Sequence, residues 1–391
     1  MNDRTVDTAV SEVMELIIEN GFNGMDRAFS ILFNEAMKVE RSRALRADPY
    51  ERTGQRRGYA NGYKPKSVKS RLGRLSLQIP QVRGEVEFYP SALEKGERSE
   101  RALKLAIAEM YIKGISTRKV SAVLEKMCGL EFSSADVSRA TQALDQELER
   151  WRNRPVNQVE YLTLDARYEN VRVDGSVRSC SVLIATGVLA NGRRSVLGVS
   201  VSLSEAEVHW RQFLLSLKDR GIYGLKLITS DDHPGMKSAR KTVFPSVPWQ
   251  RCQVHIQRNA AAHVSKVNMR EQVAADIRDI FHAPNRDEAE RLLSKAIAFY
   301  SDKASGLAKW MEENIPEGFS FYAMPRKHWR RLRTSNMIER LNREIKRRTR
   351  VCSIFPNEAS LLRLVTAILA EVAEEWETDK TYLKLKNERC V

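Results

Sequence analysis

Two aspartates stand where apolar, strand-like runs give out. Asp165 closes Val159-Glu-Tyr-Leu-Thr-Leu-Asp165, and Asp231 follows Leu225-Lys-Leu-Ile-Thr229 after a single serine. A carboxylate at a strand end is exposed yet held by a rigid element, which is how a hard divalent cation is positioned. Two Mg2+ ions about 4 Å apart clamp the attacking and leaving oxygens of an in-line phosphoryl displacement. A centre of that kind needs a third carboxylate from elsewhere in the chain. Glu339 is a candidate, lying beside the stripe Met337, Ile338, Leu341 and Ile345 within the run Arg333–Arg348. Plainer roles are open to the same residues. Aspartates begin turns, Asn336 and Glu339 fit a capping box, Glu339 can pair with Arg343, and Glu344 is an alternative acid one turn on.

Cys252 and His255 form one Cys-x-x-His pair, half of what a structural zinc needs, so they are expected to pack beneath or beside the acids. There His255 could hydrogen-bond DNA or a carboxylate, and His233, two residues beyond Asp231, could contact a phosphate. No G-x-x-x-x-G-K-S/T is present, so ATP is not expected. Nor does a serine or cysteine nucleophile arrangement stand out, which suits direct phosphoryl transfer.

The charge of the chain points to a polyanionic partner. Its 391 residues carry 65 Lys and Arg against 50 Asp and Glu, a formal charge of +15. From Lys38 to Arg74 there are 12 basic and 3 acidic residues, and from Arg326 to Arg350 there are 11 and 2, leaving a slightly acidic remainder. Two concentrated basic blocks read as phosphate-contacting surfaces. Arg41, Arg43, Arg46, Arg52, Arg56, Arg57, Lys64 and Lys66 are the candidates in the first block. Arg343, Lys346, Arg347 and Arg348 are those in the second. Tyr50, Tyr59 and Tyr63 lie among the cations of the first block, where they could stack on bases or sugars. No 18-residue apolar run is present to span a membrane, and the N-terminus lacks a basic-then-apolar leader. The five scattered cysteines argue against a disulfide framework. The chain therefore reads as soluble and cytoplasmic, associated with the nucleoid when bound to DNA.

Helical spacing runs through residues 10–45, broken at Gly21 and Gly24. Residues 47–74 read as a polar loop, and Leu75–Ile79 with Glu85–Tyr89 as a small hairpin turning at Pro80 and Gly84. Ser116 can cap a helix ending near Gly129. Ser133 or Ser134 can cap another, whose inner face is Val137, Ala140, Leu144 and Leu148. This pair fits a helix-turn-helix with Arg139 and Gln142 outward, or a compact bundle. From residue 156 the order is three antiparallel strands, a helix through Leu217 burying Val208 and Phe213, a strand, a short helix and a last strand. That order is expected of a ribonuclease-H-like α/β domain. Residues 254–315 are helical throughout, and helices follow at 333–348 and 357–376.

The stretches Leu164-Asp-Ala-Arg-Tyr168, Ser230-Asp-Asp-His-Pro-Gly235, Gln250-Arg-Cys-Gln-Val-His255 and Asn336-x-x-Glu-Arg-Leu-Asn342 with Lys346-Arg-Arg348 resemble the Mutator-type transposases of bacterial insertion sequences. The likeness runs from the basic Gly62–Pro90 region almost to the C-terminus. It implies a DDE recombinase with its first aspartate at Asp165, its second at Asp231 and its glutamate at Glu339. It also implies a ribonuclease-H fold interrupted by a helical insertion. Asp232 replaces the small residue usual in the family, which leaves Asp232 as a rival second ligand. The expected organisation is N-terminal helices in 1–46, a candidate surface for self-association, and a basic arm with a hairpin in 47–98. A helix-turn-helix domain would fill 99–150, and the catalytic domain 156–391, with its insertion at about 256–325. The expected activity is metal-assisted cleavage of an element end followed by joining of the 3′-hydroxyl to target DNA. Two Mg2+ ions (or Mn2+), terminal inverted repeats, target duplex and a second copy of the chain would be its partners. A nuclease that cuts without joining, and a non-catalytic DNA-binding regulator, are the alternatives.

Overall fold

The computed structural model describes residues 2–142, 144–264 and 267–385 and divides the chain into two units, Met1–Leu144 and Asp145–Val391. Cys390 lies outside the described residues, while Cys128, Cys180 and Cys252 are free thiols.

The first unit opens with α1 (Asn2–Asn20) and α2 (Met25–Leu45), joined by a 3-10 turn at Gly21–Gly24. Two strands, β1 (Gly58–Ser70) and β2 (Gly73–Gly84), then pair antiparallel around Arg71 and Leu72. The hairpin thus differs from the expected one: β1 falls within the stretch read as loop, and Glu85–Tyr89 does not pair. The reason is burial. In β1 only Gly58, Val68 and Ser70 are buried, so most of the strand faces water and carries no apolar alternation. Strand β2 alternates clearly, with Leu75, Leu77 and Ile79 packed on Met37, Phe29 and Phe33 of α2. Its outward amides at Ser76 and Gln78 donate to Ser30 Oγ and Asn34 Oδ1 on that helix.

Three short helices complete the unit: α3 (Arg101–Ile112), α4 (Thr117–Cys128) and α5 (Ser134–Gln142). Ser116 Oγ accepts from Lys119 N to cap α4, and Gly129, at φ +63, ends it. Ser133 and Asp136 cap α5 reciprocally. Leu103, Ile107, Val120, Leu124, Leu130, Phe132, Val137 and Ala140 form the shared core. The helix expected to continue through Leu148 instead stops at Gln142, and α6 (Asp145–Arg152) belongs to the second unit. There Asp145 receives a two-pronged bond from Arg363, which explains where α6 is tied.

The second unit is mixed α/β. Its strands are β3 (Val159–Val173), β4 (Ser176–Leu189) and β5 (Arg194–Ser202). Then come α7 (Glu207–Asp219), β6 (Leu227–Ser230), α8 (Pro234–Val243) and β7 (Trp249–Arg251). The five-stranded sheet has the order β5-β4-β3-β6-β7, antiparallel from β5 to β3 and parallel from β3 to β7. Asp174 and Gly175, both at positive φ, make the tight turn between β3 and β4. Leu162, Leu164, Leu183, Ala185 and Leu197 pack on Trp210, Phe213, Leu214 and Leu217 of α7 and on Met236 and Ala239 of α8. Val208, expected in that stripe, is exposed; Trp210 and Leu214 occupy it instead.

The chain next leaves the sheet for α9 (Gln253–Ala262), α10 (Arg270–His282), α11 (Arg286–Ser301) and α12 (Ser305–Asn314). These have a core of their own around Ile277, Phe281, Tyr300, Met311 and Phe319. It returns through α13 (Trp329–Leu332) to α14 (Asn336–Thr349) and α15 (Glu358–Thr378). Asn357 caps α15 by accepting from Ser360 N.

Candidate active site and nucleic-acid interface

Strand register brings the two aspartates together. β3 and β6 pair in parallel up to Thr163 and Thr229, and Asp165 and Asp231 each lie two residues beyond that pair. Asp165 is 8 % exposed. Its Oδ1 accepts from the Ala166 amide at 3.0 Å and its Oδ2 from the Asn342 side chain at 2.8 Å. Burial, with the Asp231 charge adding to it, pushes the Asp165 carboxyl up to about 7 despite the opposing pull of His255. Asp231 is half-buried, and its Oδ1 accepts from the His233 amide at 3.3 Å.

Asp232 is spent elsewhere. Arg251, fully buried, reaches it at 3.0 Å and Lys237 at 2.7 Å, and both cations also engage Glu317. Asp231 is therefore the acid of the pair left facing Asp165. Glu344 is likewise engaged: bonds from Arg347 and Arg348 hold its carboxyl down at about 2.

The start of α14 is locked to the strand ends. The Cys252 amide donates to Ser230 O, the Gln253 amide to Arg333 O, and Thr229 Oγ1 to Leu332 O. Buried Cys252 Sγ lies 3.2 Å from Ser335 Oγ and accepts from the Ser335 amide at 3.3 Å. Burial alone would raise that thiol, but His255 and Ser335 draw it below its usual range. Contact with Cys252 raises the His255 imidazole against its burial, and Asp165 and Asp231 add to the effect. Cys252 and His255 thus lie beside the acids, and Cys252 also sets where α14 begins. Ser335 occupies the N-cap position of α14 and makes no side-chain cap bond, so the Asn336–Glu339 capping box is not formed.

Glu339 lies one turn before Asn342 on α14, the helix that reaches Asp165. Arg258 Nη2 is 3.7 Å from Glu339 Oε1, and that oxygen is buried and accepts no hydrogen bond. Among the described residues, no three His, Cys, Asp or Glu side chains close on a point that could hold a metal ion. The structure therefore pairs Asp165 with Asp231 and sets Glu339 on the helix joined to that pair, without bringing the three to one centre. The donors present are carboxylate oxygens. Among the described residues neither aspartate is hydrogen-bonded or ion-paired to Lys or Arg. Paired acids of this kind, with an orphaned carboxylate oxygen on the adjoining helix, fit a hard cation.

Sequence reasoning missed Glu205, which is buried between β5 and α7 and acts electrostatically on Asp165. Its only local signal was the polar run Ser204–Glu207, which reads as a helix cap.

The basic candidates divide by burial. Arg43, Arg46, Arg52, Arg57 and Lys64 are exposed in the first unit, as are Arg139 and Gln142 on α5. Arg343, Lys346 and Arg347 are exposed on α14. Arg56 is half-buried, donating to Asp48 O and Glu51 O, and Lys66 donates to the Tyr89 hydroxyl. Two expectations need correcting. Arg41 is buried, donates to Tyr63 and stacks over its ring, so it supports the unit's own packing. Arg348 is buried between Glu344 and Glu371, where its charge is neutralised within the fold. Among the described residues no helix is long and apolar enough to cross a membrane.

Known proteins resemble the chain over nearly all of its length. A transposase for the insertion sequence element IS406 of Burkholderia multivorans is 54% identical over 369 residues, covering 94% of this chain and 95% of that one. A transposase for ISRM5 of Rhizobium meliloti is 38% identical, covering 98% and 96%. A transposase for IS256 in transposon Tn4001 of Staphylococcus aureus is 35% identical, covering 94% and 95%. Since the model of the Mutator family of transposases also matches residues 1–379, the chain belongs to that family and is a DNA transposase.

Proposed function

We propose that this transposase is a DDE recombinase of ribonuclease-H-like fold, with Asp165, Asp231 and Glu339 as its catalytic acids. The observation that carries the reading is the parallel register of β3 and β6, which sets two aspartates side by side, with Asn342 of the Glu339 helix bonded to one of them. These three residues would hold Mg2+, or Mn2+ in its place, and a bound pair of such ions supplies Lewis acidity for phosphoryl transfer. The chain's own groups do the positioning. Ala166 and Asn342 orient Asp165, the His233 amide orients Asp231, and Cys252 with Ser335 fixes the start of α14. Arg343, Lys346 and Arg347, exposed on α14, would hold phosphates near the reacting strand.

Hydrolysis at an element end would leave a 3′-hydroxyl, and that hydroxyl would attack a phosphodiester of the target. In this reading α4 and α5 form a helix-turn-helix in which Arg139 and Gln142 read base edges of the terminal inverted repeats. The exposed cations between Arg43 and Lys64 would contact phosphates. Joining two ends in concert calls for at least two copies of the chain. Val10, Met14, Ile17, Ile18 and Phe22, exposed along one side of α1 and its following turn, suit that contact.

The test uses labelled element ends with Mg2+, some supplied pre-cut with a free 3′-hydroxyl. Joined products from pre-cut ends support the transposition chemistry. Cleavage with no joined product from either substrate would favour a plain nuclease.

A further inference from the structure

The β1–β2 hairpin of the first unit has two faces of opposite character. Residues directly opposite each other in an antiparallel pair share a face, and Val68 stands against Leu75. That face, with Leu77 and Ile79, packs on α2. The other face carries Arg74, Ser76 and Gln78 of β2, with Ser67 opposite Ser76 and Pro65 opposite Gln78; all five are exposed. From Gly58 to Gly84 the ribbon holds six Lys and Arg and no Asp or Glu. A solvated face ordinarily mixes its charges, so an acid-free ribbon of this length suits a polyanion.

The exposed face is held still. The Ser76 amide donates to Ser30 Oγ at 3.1 Å and the Gln78 amide to Asn34 Oδ1 at 2.8 Å, so α2 pins the backbone from which those side chains leave. Near the turn, the Lys69 amide donates to Arg98 O and the Glu100 amide to Lys69 O. Lys69 Nζ donates to Glu131 O at 2.8 Å and pairs with Asp136, which caps α5. Ribbon and α5 are thereby joined. Among the described residues the Arg74 guanidinium is in no ion pair, and it donates one long bond, 3.5 Å, to Ser67 Oγ. A two-stranded ribbon fits the major groove of B-form DNA, where arginine grips guanine and glutamine grips adenine with two-pronged bonds. Alternate residues on a strand lie about 6.8 Å apart, close to two base-pair rises of about 3.4 Å. Arg74, Ser76 and Gln78 can therefore follow successive steps along one groove.

We propose that this face of the β1–β2 ribbon enters the major groove of the element end and reads bases through Arg74 and Gln78. Ser67 and Ser76 would supply shorter polar contacts. The inference rests on the end-binding reading above and adds a second base-reading element to α5. None of its residues is among the cations assigned there to phosphates.

The test measures affinity of the full chain for the labelled duplex end and for a scrambled duplex of the same length, with dimethyl sulfate protection on the first. Gln78→Ala alters no charge, and Arg74→Lys keeps the charge while losing the fork. Each should weaken binding to the end about ten-fold and to the scrambled duplex by less than about two-fold. Arg74→Lys should also unmask one guanine N7 that wild type protects. Both side chains are exposed, so the melting temperature should not change. Wild-type affinities in both variants, with protection unchanged, would overturn the inference. Equal losses on the two duplexes would also overturn it, leaving the ribbon a backbone contact. If Arg139→Ala alone loses preference for the end, this inference falls and reading by α5 stands. If wild type itself binds the two duplexes alike, end recognition by this unit fails and this inference with it.

Discussion

The Asn342 side chain donates to Asp165 Oδ2 at 2.8 Å, joining residues 177 positions apart. That bond ties α14 to β3, and it orients a carboxylate whose other oxygen is held by the Ala166 amide. Asn342→Ala should lower the cleavage rate about 10–100-fold, as loss of an orienting partner does at metal sites. Stability should fall by about 1 kcal/mol. Initial cleavage rates and urea denaturation check the two effects, and DNA affinity should not change.

Adjacent aspartates should respond in opposite ways. Asp232→Ala strips one acid from fully buried Arg251 and from Lys237, leaving Glu317 as their shared acid, with Asn314 still accepting from Arg251. A loss of about 1–3 kcal/mol in stability is expected, with partial activity retained. Asp231→Asn removes an acid that faces another acid, so it should abolish cleavage without lowering stability. Denaturation curves and gel assays on both variants separate the roles.

The raised Asp165 carboxyl has a signed consequence for the metal-free protein. Between about pH 4 and 7 the native state keeps a proton there that the unfolded chain, with an ordinary aspartate near 3.9, has lost. Stability from this group therefore falls as pH rises through that window and levels off above pH 7. Urea midpoints measured in chelator from pH 4.5 to 7.5 should show the fall, and Asp165→Asn should flatten it.

Exposed and buried arginines of the first basic block should differ in salt dependence. Neutralising Arg43, Arg46, Arg52 and Arg57 together should flatten the slope of log affinity against log salt, by about 0.9 for each DNA phosphate that no longer meets a cation. Arg41→Ala should leave the slope unchanged and destabilise the first unit, since Arg41 donates to Tyr63 and is buried. Binding isotherms at three salt concentrations decide.

The sequence was most legible where burial writes a pattern. The apolar run ending at Thr229, the turn at Asp174-Gly175, the cap at Ser116 and the all-helical stretch after Cys252 each carry a local signal, and the structure has them, whereas Asp165, read as a strand end, lies inside β3, which runs on to Val173 paired with β4. It was least legible where a residue's role depends on a distant partner. Strand β1 lacks alternation because most of it faces solvent, and its pairing is supplied by β2. Arg41 and Arg348 look like their exposed neighbours until Tyr63, Glu344 and Glu371 are brought to them. Glu205 sits in an ordinary polar bend, and α8 closes over its backbone at Gly235. The helix expected to run through Leu148 gives way to a separate α6, whose Asp145 is held by Arg363, 218 residues away.

The most direct measurement is strand cleavage of a labelled element end in Mg2+ by Asp165→Asn, Asp231→Asn and Glu339→Gln beside wild type, with DNA affinity measured in parallel. If the three acids carry the chemistry, every variant binds the end as wild type does and none yields cleaved or joined product. A Glu339→Gln protein that cleaves at the wild-type rate would contradict the assignment, leaving the third acid to be sought elsewhere.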